Sequence, residues 1–225
     1  MRCSDAWTIA NLVPSLTLMH RAAMGIFKAV NWHGPIAILV GSGNNGGDGF
    51  ALSCILKDHG FPCTLFTVSE KLSPDSAYYA RMAKEAGIPI VPFESGCLTG
   101  FDIIVDCLLG TGFQGSVRGN YRAAIDAINT ASAYVVSADI NSGMNGDTGL
   151  AELAVRSHLT VTIGFVKTGL VTESAGAYIR KLVCTDIGIV LSREEGWICG
   201  PEESPVPGAV PCPPWLDMRI IPSPE

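Results

Sequence analysis

Basic residues are scarce in this chain: 15 Lys and Arg stand against 21 Asp and Glu among 225 residues, a formal charge of −6. Nucleic-acid affinity comes mostly from clustered Lys and Arg, so no DNA or RNA role is expected. Long apolar runs are missing too. Ile36 to Val40 and Ile103 to Leu109 fall far short of the roughly 20 residues that span a bilayer. Met1-Arg2-Cys3-Ser4-Asp5 leads into a mixed segment with no apolar h-region, so a secretory signal is not expected either. None of the eight cysteines falls in a CxxC pair or beside a paired His spacing. Cys54, Cys63, Cys97, Cys107 and Cys184 sit singly in apolar or turn segments and read as small core residues of a cytoplasmic protein. There is no internal repeat.

What the chain does have is 48% apolar content and 25 glycines, enough for one sizeable domain. Leu12 to Val30 carries apolar residues at helical spacing behind Pro14-Ser15 and reads as an opening helix. From Pro35 onward short β-branched runs alternate with helical stretches, the pattern of βαβ units around a parallel sheet. Strands are expected at Ile36 to Val40, Cys63 to Val68, Ile88 to Pro92, Asp102 to Cys107, Ala133 to Ala138 and Leu159 to Gly164. Helices are expected at Asp48 to His59, Pro74 to Ala86 and Tyr121 to Thr130. Ala177 to Val190 adds one or two strands. The expected fold is α/β, three-layered and doubly wound around a mostly parallel sheet, filling residues 1–191. Residues 192–225, crowded with proline, read as a mostly unpacked tail with room for a small docked element around Trp215 to Ile221.

Gly41-Ser42-Gly43-Asn44-Asn45-Gly46-Gly47-Asp48-Gly49 lies where the first parallel strand passes into a helix. Glycines there permit close approach to a ligand, and free amides at a helix start favour an anion such as phosphate. The run lacks the Walker lysine and does not follow the dinucleotide G-x-G-x-x-G spacing, which weakens NTPase and dehydrogenase readings. The plainer alternative is a flexible turn. Two further strands end in carboxylates beside glycine turns, Asp106 before Gly110-Thr111-Gly112 and Asp139 before Ser142-Gly143. Each aspartate alone suits a helix cap or turn. Together with Asn45 and Ser142 they should meet in the crevice outside the carboxyl ends of the strands.

These four segments, with Thr160 to Gly169 as the last, resemble the ordered motifs of the YjeF N-terminal domain family, the NAD(P)H-hydrate epimerases. Similarity extends over about residues 5 to 190. The resemblance implies a Rossmann-like fold, a hydrated nicotinamide cofactor as substrate and one potassium ion. By position, Asn44, Asn45, Gly46, Gly47 and Asp48 would contact the substrate's phosphates and ribose, together with Gly110, Thr111, Gly112, Phe113, Gln114, Gly115 and Ser116. Asp139 would sit at the reacting ring as the catalytic acid and base. Asn45, Asp106 and Ser142 would ligate potassium. A valine at Gly47 is expected to fill the phosphate's place. Lys167 is either a partner in this chemistry or a solvated lysine.

Three features depart from the family pattern. His20 stands where an acid is usual, and Asn141 replaces the commoner proline between Asp139 and Ser142, which should loosen that turn. Many relatives also continue into a dehydratase domain where this chain runs into prolines, so dehydratase activity is not expected. The rival reading is an inactive nucleotide- or protein-binding module of the same fold; a nucleotide transferase or hydrolase ranks third, since no nucleophile dyad or basic phosphoryl clamp is visible. Apolar surface on the opening helix could support a homodimer.

Overall fold

The computed structural model describes residues 2–190, 213 and 216–222. Two helices open the chain where one is expected: α1 (Arg2–Asn11), and α2 (Ser15–Ala29) behind Pro14. Proline suits the start of a helix but cannot continue one from the preceding turn, which separates the two. The βαβ pattern then follows: β1 (Ile36–Val40), α3 (Asn44–Asp58), β2 (Cys63–Thr67), α4 (Pro74–Glu85), β3 (Ile90–Pro92), β4 (Ile103–Cys107), α5 (Gly119–Thr130), β5 (Tyr134–Ala138) and β6 (Leu159–Ile163). Short 3-10 turns at Thr168–Val171 and Glu173–Ala177 precede β7 (Lys181–Thr185), and β8 (Asp217–Ile221) closes the sheet.

The eight strands run in the order β3-β2-β1-β4-β5-β6-β7-β8, every pairing parallel. The expected three-layer Rossmann-like arrangement is therefore present. Strand residues alternate between two cores. Ile36, Ile38, Val40, Ile103, Val105 and Val136 pack under α2, α3 and α4. Ala37, Leu39, Ile104 and Val135 pack under α5. Both faces are covered, which is why β1, β4 and β6 are buried along their whole length. A third apolar cluster, including Ile140, Leu170 and Leu182, seats the loops beyond β5 and β6.

Two segments differ from expectation. Helix α3 begins at Asn44, not Asp48, so the glycine run forms its first turn. Glycine disfavours helix by about 1 kcal/mol per residue, but here its lack of a side chain lets α3 sit close to its neighbours. A Cβ on Gly47 would lie 2.6 Å from Met19 Cε and 2.8 Å from Ser76 Oγ, and one on Gly49 would lie 2.7 Å from Val40. The missing side chain of Gly47 thus faces protein, which corrects the expectation that a valine there would fill the phosphate's place. The second segment is β8, which lies within the proline-rich stretch and pairs with β7 through Lys181↔Asp217 to Thr185↔Ile221. It occupies the place where a docked element was allowed for. Of the rest of the expected tail, residues 192–212, 214–215 and 223–225 lie outside the described residues.

Candidate active site

Chain order reverses between β1 and β4: β1 leads to β2 on one side, while β4 and β5 extend the sheet on the other. Diverging loops leave a crevice at such a point, above the carboxyl ends of the strands. A cavity of about 510 Å³ lies there. Its floor is the β1–α3 junction (Ser42, Gly43, Asn44, Asn45, Asp48) and the loop after β4 (Leu108 to Phe113), with Asp139 from the end of β5 and Ile163 from the end of β6. Leu18, Met19 and Ala22 of α2 and Ile187 and Ile189 beyond β7 make an apolar wall. A Cβ on Gly43 would meet nothing within 4 Å, so the amides at the start of α3 border open space suited to an anion. The cradle is braced from both sides. Asn44 Oδ1 accepts from Ser73 Oγ at 2.8 Å, Ser76 Oγ donates to Gly43 O at 2.8 Å, and the Ser42 amide donates to Tyr121 Oη at 3.1 Å.

Asp139 has φ +65°, the left-handed region, and is the sole non-glycine residue there among those described. Aspartate tolerates this conformation better than most residues, yet it costs on the order of 1–3 kcal/mol and is concentrated at functional sites. Two contacts hold it. Its amide donates to Val161 O at 2.8 Å, and its Oδ1 accepts from the Ile163 amide at 3.2 Å. The same oxygen is ion-paired with Lys167 Nζ. Lys167 is only 8% exposed and also donates to Thr162 Oγ1 at 3.0 Å and Ile163 O at 2.8 Å, which excludes the solvated-lysine reading.

Asp106 and Ser142 lie behind the cavity floor, both fully buried. Asp106 accepts four hydrogen bonds: from the Leu108 amide at 3.2 Å and Ser142 Oγ on one oxygen, from Ser137 Oγ and the Ser142 amide at 2.9 Å each on the other. Burial pushes its carboxyl up, and these donors, Ser142 first, oppose the shift. No described cation pairs with it. Asn45 Nδ2 donates to Leu109 O at 3.1 Å, the carbonyl that Ser142 Oγ also reaches at 3.2 Å, while Asn45 Oδ1 is buried without a partner among the described residues. Buried amide oxygens seldom go unpaired. An orphaned oxygen near a buried carboxylate with no counter-charge is the chemistry that a hard cation would complete.

The remaining expected site residues separate into groups. Gly110, Thr111, Gly112 and Phe113 line the main cavity, whereas Gln114 and Gly115 line a neighbouring one of about 270 Å³, with Phe113 shared. Ser116 lines neither, and Gly46 and Gly47 are buried in helix packing. Asn141 tightens the turn instead of loosening it: it is fully buried, its Nδ2 donates to Val155 O at 2.9 Å and Ser157 Oγ at 3.0 Å, and its Oδ1 accepts from Thr160 Oγ1 at 2.6 Å. Sequence reasoning had no signal for Tyr121. Leu18 and Met19 of α2 belong to the core and also wall the cavity.

The chain matches the family described as YjeF-related protein N-terminus over residues 15–169. It belongs to that family. Among its relatives, the NAD(P)H-hydrate epimerase of Limosilactobacillus fermentum is 36% identical over 194 residues, which take in 83% of this chain and 93% of that protein. The NAD(P)H-hydrate epimerase of Lentilactobacillus buchneri is 35% identical over 79% of this chain and 86% of its own. The bifunctional NAD(P)H-hydrate repair enzyme Nnr of Coxiella burnetii is 37% identical over 76% of this chain, an alignment covering 37% of that longer enzyme. The crystal structure of yeast ynu0 superposes with a TM-score of 0.67 at 20% identity, over 75% of this chain and 79% of that one, and has the same fold.

Proposed function

We propose that this protein is an NAD(P)H-hydrate epimerase, an isomerase that interconverts the R and S forms of hydrated NADH and NADPH for cofactor repair. The observation that carries the reading is the buried Asp139–Lys167 pair, whose aspartate lines the cavity, in a family member matched over 93% of the length of the Limosilactobacillus fermentum protein that bears that name. In this reading the amides opening α3, with Asn44, Asn45 and the loop from Gly110 to Phe113, bind the phosphates and ribose. The apolar wall of α2 excludes water from the ring. Asp139 works at the ring carbon that bears the hydroxyl: the nitrogen lone pair expels the protonated hydroxyl as water, a planar iminium forms, and water adds from either face as a base takes its proton. No electron is transferred.

Asn45, Asp106 and Ser142 would hold one potassium ion, which when bound would supply the positive charge that buried Asp106 lacks. The orphaned Asn45 Oδ1 supports that assignment. Among the described residues no helix is long and apolar enough to cross a membrane. The reading takes the protein as cytoplasmic and as a homodimer formed through its opening helices, where Trp7, Ile9 and Leu12 are exposed. The binding-module alternative would need none of the Asp139–Lys167 geometry. Asp139→Asn is expected to slow epimer exchange by about 10²- to 10⁴-fold, the usual worth of one acid–base group, with an unchanged circular dichroism spectrum. Exchange at the wild-type rate in this variant would remove Asp139 from the chemistry.

A further inference from the structure

We propose that Asp48 is a second catalytic carboxyl, the proton donor to the departing hydroxyl, with Asp139 as the proton acceptor. The inference rests on the epimerase reading and deepens it. Asp48 lies just past the first turn of α3, 9% exposed, and lines the same cavity as Asp139. Its carboxyl makes no hydrogen bond or ion pair with any described residue. A structural aspartate in so dry a place is ordinarily saturated with donors, as Asp106 is with four. Asp139 is engaged by Lys167 and the Ile163 amide. Asp48 alone among the three has only the cavity to address.

Its surroundings suit a neutral acid. Burial, then the facing Asp139 carboxylate, push Asp48 well above the carboxylate range, and the Lys167 ammonium pulls less strongly the other way. From α4 it faces Tyr79, pushed up to about 12, and Asp75 lines the same cavity. From β4 it faces Cys107, whose buried thiol is raised well above its ordinary value. Helix α2 presents the apolar Leu18, Met19 and Ala22. Of the charges in this group, only the Lys167 ammonium opposes a proton on Asp48, while the Asp139 carboxylate favours it.

Two carboxyls answer a requirement that one does not. Epimerisation must expel a hydroxyl from one face of the ring and add water to the other. The Asp48 proton passes to the hydroxyl, the C–O bond breaks, and the ring-nitrogen lone pair forms the C=N bond, releasing water. Water then bonds to the carbon from the other face, its proton passes to Asp139, and the C=N π pair returns to nitrogen. The balance is an epimerised substrate and one proton moved from Asp48 to Asp139, returned through solvent. The reverse epimerisation runs the same steps backward.

The test is Asp48→Asn, nearly isosteric, assayed by epimer exchange on one pure epimer of hydrated NADPH. The expected result is a kcat lowered by about 100-fold or more with KM within about threefold, the mark of a group acting in the transition state. Wild-type kcat should fall on the alkaline side of its pH profile, where Asp48 gives up its proton, and the variant should lack that limb. A variant kcat within about threefold of wild type would overturn the proposal. Should the variant fail to fold, the wild-type profile decides, and a kcat with no alkaline limb would overturn it. Wild-type protein with no exchange activity would instead overturn the epimerase reading, which keeps the two failures distinct.

Discussion

The Asp139 backbone bears the left-handed strain and its carboxylate bears the charge, and both are held by Lys167 and the β6 backbone. Removing one partner of a buried ion pair strands the other, at a cost of about 3–5 kcal/mol, whereas removing both costs far less. Lys167→Met should therefore destabilise the protein by about that amount in urea, and Lys167→Met with Asp139→Asn should recover much of it. Simple additivity of the two single changes would contradict the pairing. At this scale the sequence was only partly legible. Asp139 and Asp106 could be placed at strand ends by pattern, but nothing in one dimension told a cavity-facing aspartate from one sealed by four donors. Nor could it show that Lys167, a long way along the chain, folds back onto Asp139, or that Asn141 pins its turn through contacts reaching Thr160.

Among the elements, the glycine run has a meaning that spacing alone did not convey. Strand-to-helix placement was readable, and so were the strands, because β1, β4 and β6 are short, mostly apolar runs buried along their whole length. The direction in which each glycine's missing side chain would point was not, since that depends on how α3 docks against α2 and α4. Gly47→Val should overpack this junction against Met19 and Ser76, costing about 1–3 kcal/mol, and lower the melting temperature by roughly 2–4 °C per kcal/mol. A variant as stable as wild type that fails to bind NADPH in calorimetry would restore the phosphate-facing view. Helix α1 escaped notice because it has no clear apolar stripe, and its Trp7 and Ile9 are exposed. Strand β8 was obscured by the prolines around it, although Met218 and Ile220 alternate with the polar Asp217 and Arg219 as an edge strand allows.

For the whole molecule, the doubly wound order brings the loops after β1, β4 and β5 to one edge of one sheet. That was the most legible feature, because near-continuous apolar strands separated by helices admit few other arrangements. Potassium, if bound by Asn45, Asp106 and Ser142, stabilises only the folded chain, so melting should rise with KCl over matched LiCl. Asn45→Ala should abolish the difference, and equal melting of wild type in both salts would count against the site. The claim on which all of this depends is that the shared crevice performs chemistry. Its most direct test is a chromatographic time course starting from one pure epimer of hydrated NADPH with wild-type protein. The structure predicts approach to the equilibrium mixture far faster than the spontaneous rate and in proportion to protein concentration. Kinetics indistinguishable from the protein-free control would contradict it.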